Sequence, residues 1–153
     1  MIPKTNLYKA STVSPAHSRA DVEELLEKFG CSTKFVWKRD DSESSYLAFQ
    51  RDVDIEGIIK QPLTYKVSIP FIEKSKGNKW NKTQEYDEVR SYRMLFHILK
   101  HMLLNTDVGM EFEQVFGNYL VVGQLPDGSP QNVQDRIGDA LVKGKVPALA
   151  FKV

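Results

Sequence analysis

Basic residues and one tryptophan concentrate between positions 74 and 100, and they have the chemistry that single-stranded nucleic acid requires. Cations neutralise phosphates, and an exposed aromatic ring stacks on unpaired bases. The predicted nucleic-acid-binding set is Lys74, Lys76, Lys79, Trp80, Lys82, Arg90, Arg93 and Lys100. On a helical wheel, Arg90 and Arg93 share one stripe with two histidines. The alternative interpretation is a solvated loop and helix face, with Trp80 as a core anchor.

The two histidines of this stripe have a spacing that suits a metal ion. His97 and His101 are four residues apart, so one ion can bridge them on a helix. A zincin motif requires glutamate directly after the first histidine, where Ile98 stands. No third ligand is predictable from the spacing, although Glu111 or Glu113 on the next predicted helix could face the two histidines. Two solvated or packed histidines are the preferred interpretation, so we predict no metal and no cofactor.

Other residues with catalytic chemistry lack the spacing that catalysis needs. Asp52, Asp54 and Glu56 alternate as nuclease carboxylates do, but no Glu-x-Lys follows them. A solvated connection over residues 54–61 is therefore preferred. Cys31, the single cysteine, is predicted to be a small buried hydrophobe rather than a nucleophile. The sequence also has no phosphate-binding glycine loop and no nucleophile elbow, so an enzyme is not indicated.

The length and composition predict one ordinary globular domain, residues 1–153. The net charge of +1 excludes a strongly basic arm but leaves room for a local basic patch. The first residues lack the apolar core of a signal peptide, and no apolar run is long enough to span a bilayer. We therefore expect no membrane association and a cytoplasmic location in a host cell. The oligomeric state stays open.

The first elements that could position these residues are a strand and a helix. Residues 5–13 are rich in β-branched and aromatic residues and favour a strand. Apolar residues at helical spacing predict a helix over 18–29. Ser18 has the residue type of an N-cap, and Gly30 stands where a left-handed C-terminal cap is expected.

Strand patterns follow in the middle of the chain. Residues 33–39 and 45–53 predict a hairpin around an acidic turn. Residues 64–71 predict a third strand, whose alternation gives one buried and one solvated face, with Lys66 on the solvated face. The following lysine-rich stretch, 72–83, is predicted to be an exposed polar loop.

Helical patterns dominate the rest of the chain. A long helix over about 84–104 and a shorter one over about 110–121 are predicted to pack as an antiparallel pair. Ser129 and Pro130 have the residue types that begin a third helix. The apolar face of that helix consists of Val133, Ile137 and Leu141.

The predicted order β-α-β-β-β-α-α-α places strands before helices, which indicates an α+β fold with a small antiparallel sheet covered by helices. We expect the apolar faces of the strands and of the helices after residue 83 to form one interior. The predicted cationic surface depends on that arrangement.

The whole pattern resembles a loose group of short, uncharacterised proteins from phages, prophages and related mobile elements of bacteria and archaea. The resemblance rests on these segments of the present sequence: the opening helix (SRADVEELLEKFG), two strands (YLAF and VSIPF), the Arg-initiated helix with the following GMEFEQVF, and the LPDGS turn. They correspond to residues 18–30, 46–49, 67–71, 90–104, 109–116 and 125–129. The resemblance implies a mobile-element origin and brings no established chemistry.

Three hypotheses about function follow. The first is a non-enzymatic accessory protein that contacts single-stranded nucleic acid through the surface at 72–101. The second is a module that binds a host protein, for instance through the apolar tail 146–153. The third and least favoured is a metal-dependent hydrolase.

Overall fold

The computed structural model describes residues 12–39, 45–57, 59–78 and 81–144. Of residues 55, 59, 74–78 and 81–85, only the backbone is described. The strand predicted over 5–13 and the apolar tail 146–153 lie outside the described residues, except that residues 12 and 13 have no regular structure. The α+β class is confirmed: the described residues form four α-helices and small antiparallel sheets in roughly the predicted order.

The first helix, α1 (Pro15–Lys28), starts earlier than predicted. Its N-cap is Ser14, whose Oγ accepts a hydrogen bond from the His17 backbone N at 3.2 Å. Ser18 is therefore not the cap but a fully buried residue inside the helix. The better signal is a serine directly before Pro15, because proline suits the first helical position. Gly30 has φ +86°, so the left-handed ending of the helix is confirmed.

The main sheet consists of β1 (Phe35–Lys38), β2 (Tyr46–Ile55) and β3 (Ile59–Ser68), in the order β1-β2-β3. Both pairings are antiparallel, as predicted. The connection predicted over 54–61 is wrong, because β2 and β3 continue until Ile55 pairs with Ile59. Glu56 and Gly57 both have positive φ, which lets the chain reverse tightly there.

The lysine-rich segment predicted as a loop is instead a β-hairpin. Strands β4 (Glu73–Asn78) and β5 (Asn81–Tyr86) pair antiparallel, from Glu73 opposite Tyr86 to Asn78 opposite Asn81. They form a two-stranded sheet of their own, which we call the basic hairpin. Lysine, glycine and asparagine have low strand propensity, so the sequence of this segment does not indicate its pairing.

The long helix α2 (Glu88–Asp107) begins at the N-cap Asp87, whose side chain accepts from the Arg90 backbone N. The helix predicted over 110–121 is wrong in length. Only α3 (Phe112–Phe116) and a single 3₁₀ turn (Gly117–Tyr119) are helical, and residue 121 begins a strand.

The last elements are β6 (Val121–Gln124), β7 (Pro130–Asn132) and α4 (Val133–Val142). Pro130 lies in a strand, so the predicted helix start at Ser129 and Pro130 is wrong. The helix begins instead at Asn132, where Asn132 and Asp135 form a reciprocal capping box. The predicted apolar face of this helix is largely uncovered within the described part of the chain, since Ile137 is 48% and Leu141 is 61% exposed.

One hydrophobic cluster lies between the main sheet and the helices that pack on one of its faces. Trp37 lies 5.7 Å from Tyr92 between ring centroids, and Phe49 packs edge-on against Phe116 at 6.1 Å. The cluster includes Val22, Leu26, Leu47, Phe49, Tyr65, Val67, Leu95, Leu99, Leu103 and Phe116. The prediction of one interior shared by the strands and the later helices is therefore confirmed.

Candidate functional site

The predicted basic stripe of α2 is not a solvent-exposed surface at its first two arginines. Arg90 and Arg93 are each only 9% exposed. An Arg93 Nη2 donates to Asp21 Oδ2 at 2.8 Å, and the guanidinium lies 4.8 Å from the centre of the Phe96 ring. Arg90 lies 3.8 Å from the carboxylate of Asp87. Arg93 ties α2 to α1, and Arg90 lies beside the N-cap of its own helix, so neither guanidinium is as exposed as a phosphate-binding stripe requires. A role of the two arginines in binding nucleic acid stays a prediction.

Asp21 connects α1 to α2 through this pair. The hydrogen bond from Arg93 lowers the pKa of the Asp21 carboxyl from its ordinary value, against a smaller desolvation effect. His17 lies 3.7 Å from the same carboxylate oxygen. The ion pair between Arg93 and Asp21 therefore joins two helices and is part of the fold. Helical spacing alone does not distinguish an arginine in such a pair from one that binds phosphate.

The second half of the stripe does face solvent. Lys100 and His101 are exposed, whereas His97 is half-buried. Burial lowers the pKa of His97, and the nearby Arg93 and Lys100 charges lower it further. The neutral imidazole is thereby favoured at neutral pH.

The candidate third ligands for a metal ion have other roles. Glu111 caps α3, together with Gln114. Glu113 Oε1 accepts from Arg51 Nη2 at 3.0 Å and also from the Tyr65 hydroxyl. Within the described ranges, no group of three ligating side chains could hold a metal ion.

Tyr65 is the buried centre of the network around Glu113. Its ring stacks on Phe49 with the centroids 5.3 Å apart, and Arg51 lies 4.1 Å above the neighbouring Phe112 ring. Burial, followed by the hydrogen bond to Glu113, raises the pKa of Tyr65 to about 12. The phenol is therefore a neutral donor at physiological pH.

This raised pKa predicts a loss of stability in alkali. The unfolded phenol ionises near 10.0 and the folded one near 12, so this contribution is intact below pH 10 and is lost as the pH rises toward 12. Tyr65→Phe should remove that part of the loss, as followed by denaturant unfolding at several pH values and by phenolate absorbance. If the titration step that disappears in the variant lies near pH 10 rather than near pH 12, the raised pKa of Tyr65 is wrong.

Cys31 belongs to the hydrophobic cluster. The residue is 7% exposed, so the prediction of a small buried hydrophobe is confirmed, and burial raises the pKa of its thiol to about 11. Asp52 and Asp54 are exposed on β2, a strand rather than the predicted connection.

The basic hairpin contains the remaining lysines of the predicted site. Its backbone register places Lys74 opposite Glu85, Lys76 opposite Thr83, and Lys82 opposite Gly77. Lys79 and Trp80, which stand between the two strands in the sequence, lie outside the described residues. Among the described elements, neither β4 nor β5 makes extensive contact beyond its partner strand.

The base of the basic hairpin is anchored to the folded body. Phe71 and Tyr86 stack with their ring centroids 4.9 Å apart and their planes 3° from parallel. Ile72 is 1% exposed, and its carbonyl accepts from the Asp87 backbone N at 2.7 Å. The ribbon thus begins at a fixed position next to the N-terminus of α2.

A charged pocket of about 240 Å³, which we call the Lys66 pocket, lies on the other face of the main sheet. Lys66 is 7% exposed, and its Nζ donates to the Pro130 carbonyl at 3.0 Å and to Asp135 Oδ2 at 3.1 Å. Strand alternation had assigned Lys66 to a solvated face. The β7–α4 junction covers that face, and Asn132 Nδ2 donates to the Lys66 carbonyl at 2.9 Å. The pocket is lined by Lys38, Tyr46, Lys66, Ser68, Leu125, Asp127, Ser129 and Asp135.

Fold and site together describe an α+β protein with a lysine-rich ribbon and a separate charged pocket. Comparison with known proteins finds no matching family model, no similar curated protein and no matching solved structure. No helix in the described part of the chain has both the length and the apolar character needed to cross a bilayer.

Proposed function

We propose that this protein is a non-enzymatic accessory protein of a phage or other mobile element, and that it binds single-stranded nucleic acid through the basic hairpin. The observation that supports the proposal is the segregation of charge. The basic hairpin, residues 73–86, contains four lysines within 74–84 and two glutamates, Glu73 and Glu85, at its ends. Because the whole chain has 21 basic and 20 acidic residues, the remainder has 17 and 18. A ribbon with a net charge of +2 on a nearly neutral body directs phosphates to the ribbon.

The backbone of the ribbon suits a nucleic-acid chain. Each strand has six residues and spans about 20 Å, and the lysines are distributed along that length. Lys74 and Lys76 occupy register positions of one face, and Lys82 occupies a position of the other. Binding would release counterions from the neutralised phosphates, so the affinity should fall with salt.

Reversing the charge of Lys74, Lys76 and Lys82 to glutamate should weaken binding of a labelled mixed-sequence oligonucleotide about tenfold or more. The slope of log K against log salt should become shallower by about 0.7 for each phosphate that the variant no longer neutralises. Fluorescence anisotropy across a salt series measures both effects, and circular dichroism checks that the variant is folded.

A matched control makes the same charge change elsewhere. Lys28 on α1, Lys34 just before β1 and Lys143 directly after α4 are exposed and far apart in the sequence, so their joint replacement by glutamate should reduce binding far less. Equal reductions in the two triple variants would show a nonspecific charge effect. Absence of salt-sensitive binding by the wild-type protein would reject the proposal in favour of the alternative, a module that binds a host protein.

A further inference from the structure

The Lys66 pocket has a balanced set of charges around an aromatic surface. The ammonium groups of Lys66 and Lys38 lie 5.2 Å and 5.9 Å from the centre of the Tyr46 ring. Asp127 and Asp135 supply two carboxylates to the same pocket. We propose that this pocket binds a small zwitterion with one carboxylate and one ammonium group, of the size of a free amino acid.

The cationic side of the pocket retains hydrogen-bonding capacity. The Lys66 ammonium has three N–H donors, and within the described residues two of them are used by Pro130 and Asp135. Lys38 is exposed and forms no ion pair with another described residue, and its ammonium faces the Tyr46 ring. These two groups can bind one carboxylate, since charge-assisted hydrogen bonds are the strong ones.

The anionic side retains free acceptors as well. Asp135 uses Oδ2 for both Lys66 and the Asn132 backbone N, which leaves Oδ1 available among the described residues. Asp127 uses Oδ1 for both the N and the Oγ of Ser129, which leaves Oδ2. The hydrogen bonds from Ser129 lower the pKa of Asp127, which keeps it charged at neutral pH. An ammonium group suits these two acceptors.

Charge balance and volume define the ligand class. Lys66 and Asp135 already form an ion pair at 3.1 Å, so the charges without such a pair among the described residues are one ammonium, Lys38, and one carboxylate, Asp127. A zwitterion complements both of these charges, whereas a simple anion or cation complements one and is repelled by the other. The volume of about 240 Å³ corresponds to about eight water molecules at ~30 Å³ each, which suits a free amino acid. Lys66 is buried beside Asp135, so this pair is ordered before a ligand binds, which reduces the ordering cost of binding.

The standard free amino acids, each at about 10 mM, are the probes, with thermal unfolding and then calorimetry as the measurements. At least one should raise the midpoint of unfolding. Its methyl ester, which lacks the carboxylate charge, and its N-acetyl form, which lacks the ammonium, should each bind about tenfold more weakly or worse. No stabilisation by any amino acid, or equal binding of either derivative, would overturn the proposal.

Two substitutions at exposed pocket residues locate the ligand without disturbing the buried lysine. Lys38→Met and Asp127→Asn should each weaken binding at least about tenfold, and circular dichroism should show both variants folded. Lys143→Met, directly after the C-terminal end of α4, should bind as the wild-type protein does. Unchanged binding in both pocket variants would place the ligand elsewhere and reject the assignment. The basic-hairpin variant should retain amino-acid binding, so this test is independent of the nucleic-acid proposal.

Discussion

Replacing Phe49 by alanine is expected to lower the free energy of unfolding by about 3–5 kcal/mol, the range for a large aromatic removed from a packed core. Phe49 is fully buried, stacks on Tyr65 and packs edge-on against Phe116. It therefore connects β2 to β3 and to α3. The destabilisation combines apolar area returned to water with a cavity that the surrounding rings cannot fill. Denaturant unfolding followed by circular dichroism measures it.

The control for this variant is Val36→Ala on the neighbouring strand β1. Val36 is 58% exposed, so its truncation should change the free energy of unfolding by no more than about 0.5 kcal/mol. A destabilisation below about 1 kcal/mol for Phe49→Ala would mean that the shared interior of sheet and helices is not packed as described.

Replacing Arg93 by glutamate is expected to lower the free energy of unfolding by about 3 kcal/mol, at the lower end of the range for a broken buried pair because Asp21 is 29% exposed at its side chain. The substitution removes the 2.8 Å ion pair with Asp21 and places two carboxylates together between α1 and α2. Any decrease in oligonucleotide binding should then track the unfolded fraction. Denaturant unfolding and anisotropy on the same samples separate the two effects.

Two further variants test whether the effect comes from the pair. Lys100→Glu changes an exposed charge on the same helix and should be neutral within about 0.5 kcal/mol. The double variant Asp21→Arg with Arg93→Glu should recover part of the stability, which measures the coupling between the two positions. If Arg93→Glu is as stable as the wild-type protein and still binds nucleic acid weakly, Arg93 belongs to the interface after all.

Local sequence signals predicted the candidate site only in part. Four lysines within eleven residues identified the segment 74–84 as basic, but not as a hairpin, because pairing depends on a partner strand and not on the propensity of either strand. Helical spacing correctly places Arg90 and Arg93 on one side of α2. It does not indicate whether that side is exposed, and in the structure α1 packs against it and Asp21 pairs with Arg93.

The Lys66 pocket is a second place where local periodicity predicted the strand face but not its burial. Alternation along β3 correctly separated Lys66 from the core residues Tyr65 and Val67. Nothing in that alternation indicated that residues 125–135 would return to cover the second face of the sheet. One sequence signal in this region is the capping pair of Asn132 and Asp135. It places the start of the last helix after Pro130, and so leaves residues 125–131 free to extend along the sheet.

Sequence by itself determined which side of β3, α1 and α2 is apolar, where Gly30 ends α1, and that one interior joins the strands to the later helices. Those properties depend on spacing along the chain, which local periodicity records. Only the tertiary structure decided which charges are buried. Arg93 and Lys66 are held by Asp21 and Asp135, partners 72 and 69 residues away along the chain. A charge leaves water only where such a partner compensates for its missing hydration, and that depends on packing in three dimensions.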